Sequence, residues 1–271
     1  MNDLGTLINT LYHHDNRIRT QAENELRKLG SAAIEALVQV VRGEHPAPKI
    51  RRVTGLLGFG PSQQELALEA RLAAARLLAD CGDAYAAHEL AALIPQAPEK
   101  LQHAAALALG KLNDRRAVEP LIQALYDTDF AIRAEVADML GELGDRRAVD
   151  ALVRVLLNDG HPVPRWKAAR ALGRLRDGRA LPALISTLEG LLSLPAEEWA
   201  PQRSDAYAED EPAQIIWTTC AYILDALTLI NDPRAVPILE RLMQEAPART
   251  IREKAERCLQ KIKGLSTKPA A

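Results

Sequence analysis

Leu140-Gly141-Glu142-Leu143-Gly144-Asp145-Arg146-Arg147-Ala148-Val149 is the stretch that decides the fold. It recurs upstream as Leu109-Gly110-Lys111-Leu112-Asn113-Asp114-Arg115-Arg116-Ala117-Val118, and downstream as Leu172-Gly173-Arg174-Leu175-Arg176-Asp177-Gly178-Arg179-Ala180-Leu181. Asp114, Asp145 and Asp177 lie 31 and then 32 residues apart. A period of that size marks stacked supersecondary units, each burying its apolar face only against its neighbours. Function in such an array belongs to its surfaces and to the positions that break the repeat.

One unit shows the local logic. Ala117, Val118, Leu121, Ile122 and Leu125 recur at helical spacing and predict a first helix with one apolar stripe. Asp127-Thr128-Asp129 reads as a turn. Ile132, Val136, Met139, Leu140 and Leu143 then predict a second amphipathic helix. Gly144 stands where the chain leaves that helix, a place that favours a left-handed residue. Asp145 caps the next helix by accepting from an orphan backbone N–H. Asn113-Asp114 and Asn231-Asp232 repeat the device, with Pro233 at the first helical position. Extending the register gives seven helix pairs, at about 4–29, 31–81, 84–112, 115–143, 146–175, 179–230 and 233–263. Insertions of about 43–63 and 195–212 stretch the second and sixth pairs, both between first and second helix, hence on one edge of the stack. The first of these is expected to hold a short helix near 48–57. Residues 264–271 read as a frayed tail.

The chain is 48% hydrophobic, only 4% aromatic, and carries a net charge of −2. That composition suits close helix packing and argues against a basic nucleic-acid surface. Cys81, Cys220 and Cys258 are far apart and odd in number, which fits reduced, buried thiols in a cytoplasmic setting rather than a disulfide framework or zinc site. The start shows no signal-peptide pattern, and no apolar run is read as long enough for a membrane span.

The pattern resembles HEAT repeats, specifically the short subtype named after phycobiliprotein lyases. The features that carry the resemblance are apolar-Arg near the start of the second helix, Ala-rich packing, Leu-Gly and Asp-x-Arg-Ala, recurring in that order. It implies an all-α, right-handed α-solenoid of about seven helix pairs in one continuous domain. A di-iron hydroxylase on this repeat would need His-Glu pairs on second helices. The corresponding positions are Thr20-Gln21, Leu72-Ala73, His103-Ala104, Ala134-Glu135, Trp166-Lys167, Ala221-Tyr222 and Glu253-Lys254, none of them His-Glu. The single His-Glu dipeptide, His88-Glu89, lies on a first helix. No cofactor and no metal are expected, and no phosphate loop or nucleophile elbow occurs.

Arg19, Arg71, Gln102, Arg133, Arg165, Cys220 and Arg252 form one column. With Asp127 and Asp159 six residues before Arg133 and Arg165, the column reads as an internal Asp–Arg ladder rather than an anion site. His45 and His161, beside prolines, read as turn residues. The outward positions of the second helices are more telling. In the fifth unit they hold Trp166, Lys167, Arg170 and Arg174; neighbouring units add His103, Leu107, Arg76, Leu72 and Tyr222. Trp and Arg are enriched at binding hot spots. The 195–212 insertion, with six acids against Arg203, is net −5 and is expected to compete for that cationic cluster. The expected function is a non-enzymatic scaffold that binds a protein or peptide, acidic in character, through a concave second-helix face and the long edge loops. The resemblance offers a second reading, a bilin lyase or lyase subunit holding an acidic tetrapyrrole. Nucleic-acid and membrane partners are not expected.

Overall fold

The computed structural model describes residues 3–46, 48, 61–81, 83–93, 97–199 and 212–264. Among the described residues there are helices and turns and no strand. Chain contacts divide the protein into two compact units, Met1–Leu121 and Ile122–Ala271, where the sequence reading expects one continuous array. The 48–57 helix (Pro48 apart), the tail beyond Gly264 and most of both insertions lie outside the described residues.

The first unit contains α1 (Leu4–Thr10), α2 (Asn16–Leu29), α3 (Ile34–Arg42), α4 (Gln63–Cys81), α5 (Ala84–Leu93) and α6 (Glu99–Lys111). Each odd helix packs on the even helix that follows it. The second helices α2, α4 and α6 stack in order, and so do the first helices α1, α3 and α5. The division falls inside α7 (Val118–Ala124). The second unit continues with α8 (Phe130–Leu143), α9 (Val149–Asn158), α10 (Pro162–Leu175), α11 (Leu181–Leu192), α12 (Pro212–Ile230), α13 (Val236–Glu245) and α14 (Arg249–Ile262). Here α8, α10, α12 and α14 form the row of second helices, and α9, α11 and α13 the row of first helices.

The repeated decapeptide builds the hand-over from one pair to the next. Gly144 takes φ 67°, and Asn113, Arg176 and Asn231 take left-handed values at the equivalent position. Gly and Asn suit that region; Arg176 occupies it against its own preference. Asp114, Asp145, Asp177 and Asp232 then each accept the backbone N–H two residues on, at 2.9–3.0 Å. The guanidinium of that same later residue (Arg116, Arg147, Arg179 or Arg234) folds back onto the carboxylate. Asp-x-Arg-Ala is thus a cap and a clasp in four residues, with the Ala fully buried in each case. The clasping guanidinium, helped by the capped N–H, holds the Asp177 and Asp232 carboxyls below the ordinary carboxylate range.

Leu-Gly sets the spacing of the second helices. The leucine, Leu140 or Leu172, is fully buried. A Cβ on Gly141 would stand 2.7 Å from Ala171 Cα, and one on Gly173 would stand 2.6 Å from Ala226 Cα. α8, α10 and α12 therefore approach backbone to backbone, at a distance no other side chain permits.

The arginine column is internal, as expected, but its partners differ. Arg133 donates to the carbonyls of Asp127 and Thr128, and its other two nitrogens grip the carboxylate of Asp159, in the following pair, at 2.7 and 2.8 Å. Arg165 donates to the Leu156 carbonyl rather than to Asp159. Arg19, Arg71, Gln102 and Arg252 likewise reach carbonyls at or just beyond the end of the preceding first helix. The column supplies donors where helix ends leave carbonyls unsatisfied and where positive charge is favoured. Burial pushes Asp159 up, but the Arg133 hydrogen bond and the His161 N–H outweigh it and leave the carboxyl low.

Candidate binding face

The second helices of Ile122–Ala271 turn four rows of side chains away from the first helices. The register set by the repeat places Glu135, Asp138 and Glu142 on α8, and Lys167, Arg170 and Arg174 on α10. It places Tyr222, Asp225 and Leu229 on α12, and Lys254, Arg257 and Lys261 on α14. The rows alternate in chemistry: acidic, basic, largely apolar, basic.

Neighbouring rows are cross-linked. Asp138 receives Lys167 Nζ at 2.6 Å and Arg170 Nε at 2.9 Å, so one carboxylate serves two cations. Arg174 Nη1 lies 3.2 Å from Glu142, and Lys254 Nζ lies 2.8 Å from Asp225. The Arg170 guanidinium stands 5.8 Å from the Tyr222 ring centroid, over its face. The hydrogen bond to Asp138 raises the Arg170 pKa further. The cationic cluster expected from the sequence is therefore present, and it is already partnered by α8 and α12. Lys167 and Arg170 are about two-thirds buried, Trp166 is half-buried, and Arg174 is exposed.

The other expected residues lie in Met1–Leu121. His103 on α6 is buried, 7% exposed, so its column does not point outward there; the equivalent Ala134 on α8 is buried too. Leu107 is half-buried, and Arg76 on α4 is exposed. Most of the 195–212 insertion falls outside the described residues. Its first part is a short turn, Ala196–Trp199, that packs on α12 with Trp199 buried. His161 is a turn residue as read: its Nδ1 accepts from Val163 N–H, and its ring stacks on Phe130 at 3.8 Å. His45 stacks on Tyr12.

Among the described residues no group of three or more His, Cys, Asp or Glu is placed to hold a metal ion. The three cysteines are free thiols, two of them buried. Burial pushes the Cys220 thiol up to about 12 and raises Cys258 as well. One reading of the sequence needs correction. Ala213–Ile230 of α12 is long and apolar enough to cross a membrane by length and composition, with a mean hydropathy of 1.4. It packs against α10, α11 and α14 and buries Ile216, Cys220, Ile223, Leu224 and Leu227, as a core helix does.

Stacked helix pairs with a clasped hand-over and a chemically varied second-helix face define an α-helical repeat protein. The family described as HEAT repeats matches residues 90–164 and 118–190, and that part of the chain consists of HEAT repeats. No curated protein matches the chain. Among solved structures, the chain is similar to the complex of CpcE and CpcF of phycocyanin lyase from Nostoc sp. PCC7120, at 20% identity over 98% of this chain and 96% of that chain, with a TM-score of 0.44. It is similar to human deoxyhypusine hydroxylase in complex with glycerol, at 18% identity over 96% of each chain and a TM-score of 0.39. It is also similar to a designed armadillo repeat protein in complex with the peptide (KR)4, at 19% identity over 83% of this chain and 99% of that chain, TM-score 0.46.

Proposed function

We propose that this chain is a non-enzymatic scaffold that binds a protein or peptide through the second-helix face of Ile122–Ala271. The observation that carries the reading is the half-buried Trp166 and Tyr222 set among Lys167, Arg170 and Arg174 on α10 and α12. Large rings and guanidinium groups held in place by neighbours are what binding hot spots use. Three cations on one helix suit an acidic partner, and their bonds to Asp138 and Glu142 hold them in place before a partner arrives. On Met1–Leu121, Arg76 is exposed and Leu107 half-buried.

The test places a photo-crosslinking residue at position 167 or 174, recovers the crosslinked partner from the native host, and measures its affinity for wild-type and Trp166→Ala proteins. Truncating a hot-spot Trp costs about 2 kcal/mol or more, near thirtyfold in Kd. That loss, with helicity unchanged, is the expected result. Unchanged affinity in a folded Trp166→Ala protein would remove Trp166 from the site. A shifted, protein-dependent absorption band on incubation with a free bilin would turn the reading toward a chromophore lyase.

A further inference from the structure

α12 is more apolar than its burial explains. Only 44% of the Ala213–Ile230 window is buried. Along one side of the open face Ile215, Thr218, Tyr222, Asp225 and Leu229 follow one another at steps of three and four residues, with Gln214, Trp217, Ala221 and Thr228 half-buried beside them. That spacing draws one seam along a broader open face. Ile215, Thr218 and Tyr222 are half-buried, and Asp225 and Leu229 are exposed, Leu229 by 39%. From Ile215 to Leu229 the seam runs about 21 Å, four helical turns. Its flanks are Lys167, Arg170 and Arg174 on α10 and Lys254, Arg257 and Lys261 on α14. The α10 cations are paired with Asp138 and Glu142 of the α8 row, which lies on their far side from α12, so cations remain the charges next to the seam there. On the α14 side Lys254 is paired with Asp225, Glu253 with Arg249, and Arg257 and Lys261 supply the positive border. Arg257 makes only a backbone contact, to the Glu253 carbonyl, and Lys261 has no ion pair among the described residues.

We propose that the α12 seam, walled by the cations of α10 and α14, is the docking groove for an amphipathic helix of a partner protein whose apolar edge is bordered by carboxylates. This rests on the scaffold reading above and names its partner class. Seam length and spacing match a helix laid in a groove, which anchors through residues three and four apart. The charge selects the occupant. A second copy of α12 would set cations against cations. A bilayer would have to take in Asp225, which sits mid-seam and is held by Lys254. A helix bordered by Glu or Asp meets each wall with the opposite sign and covers Tyr222 and Leu229 with its apolar edge.

Three fluorescein-labelled 18-residue helical peptides test this on the whole chain by anisotropy. One carries Leu at three- and four-residue steps flanked by Glu, one the same Leu flanked by Lys, and one the Glu flanks with Ser in place of Leu. The Leu/Glu peptide is expected to bind at least about tenfold tighter than either other. Tyr222→Glu and Leu229→Glu, each at a surface-accessible seam position, are expected to weaken it about tenfold or more with circular dichroism unchanged. Equal binding of the Lys-flanked peptide, no binding by any peptide at about 1 mM, or preferential binding to phosphatidylserine vesicles would overturn the proposal. Should the partner captured in the Trp166 experiment lose affinity on Trp166→Ala but not on Tyr222→Glu or Leu229→Glu, the scaffold reading stands and the seam falls.

Discussion

Acid and arginine meet at two kinds of place in Ile122–Ala271, with different consequences. In the interior and at the hand-overs they are fixed. Asp159 is gripped by two nitrogens of Arg133 and by a backbone N–H, with its side chain only 5% exposed. On the second-helix face they are shared and open: Asp138 serves Lys167 and Arg170 together, and Arg174 meets an exposed Glu142. The hand-over clasps recur with the repeat, and so does the arginine column, although Arg133 adds a carboxylate where its equivalents reach carbonyls. The second kind changes from helix to helix, acidic on α8 and basic on α10, although the helices are otherwise built alike. Repetition marks what the fold requires, and variation at repeat-equivalent positions marks where a partner can be told apart.

Stability measurements break or sharpen this contrast. The largest effect is expected from Asp159→Ala, which takes the carboxylate from two nitrogens of the largely buried Arg133 guanidinium and should cost about 3 kcal/mol, read from urea unfolding. A cost under about 1 kcal/mol would place that pair with the surface ones. Next comes Gly173→Ala, which drives a Cβ into the Ala226 backbone and should destabilise by about 1–3 kcal/mol. Gly190→Ala on α11, where nothing lies within 4 Å, should instead stabilise by about 0.5–1 kcal/mol. Opposite signs for the same substitution are the check. Asp177→Ala removes a cap and should cost about 1 kcal/mol.

The same clasps set the acid limit. The folded Asp114, Asp177 and Asp232 carboxyls titrate below their ordinary 3.8, chiefly through the arginine hydrogen bond. Their contribution is therefore complete above that value and is lost as pH falls through the lower folded values. The thermal midpoint should stay level on the acid side of neutrality until pH nears 3.8 and drop below it; a steep fall between pH 7 and 5 would assign acid sensitivity to other groups. The smallest change is expected from Arg174→Gln, under about 0.5 kcal/mol in stability, while partner affinity falls. Cys220, with its thiol near 12, should resist thiol reagents at pH 8 until the protein unfolds.

The helix pairs, the left-handed exits at Gly144 and Asn113 and the aspartate caps were legible in the sequence because each is made by residues within a few positions of one another. The bond between Arg133 and Asp159 was not, because Asp127 is the nearer aspartate in sequence and only the stacking of α8 on α10 brings Asp159 into reach. The same stacking decides that Lys167 and Arg170 arrive already paired. Trp166 and its neighbours could be picked out by residue type, but half-burial depends on the neighbouring helix. The α12 seam had a signal, the three-and-four spacing from Ile215 to Leu229, hidden in a helix apolar nearly all round. What set that face apart was how little of it the fold covers.

The hand-over has one more consequence, for how such a chain can grow. Left-handed exit, cap and clasp are all made by residues between Gly144 and Arg147. A cut there divides no essential interaction of the turn. Duplication or loss of a whole period between two such junctions would leave each hand-over its own exit, cap and clasp, so the gene can lengthen or shorten in steps of one helix pair while the surface of each new pair drifts freely.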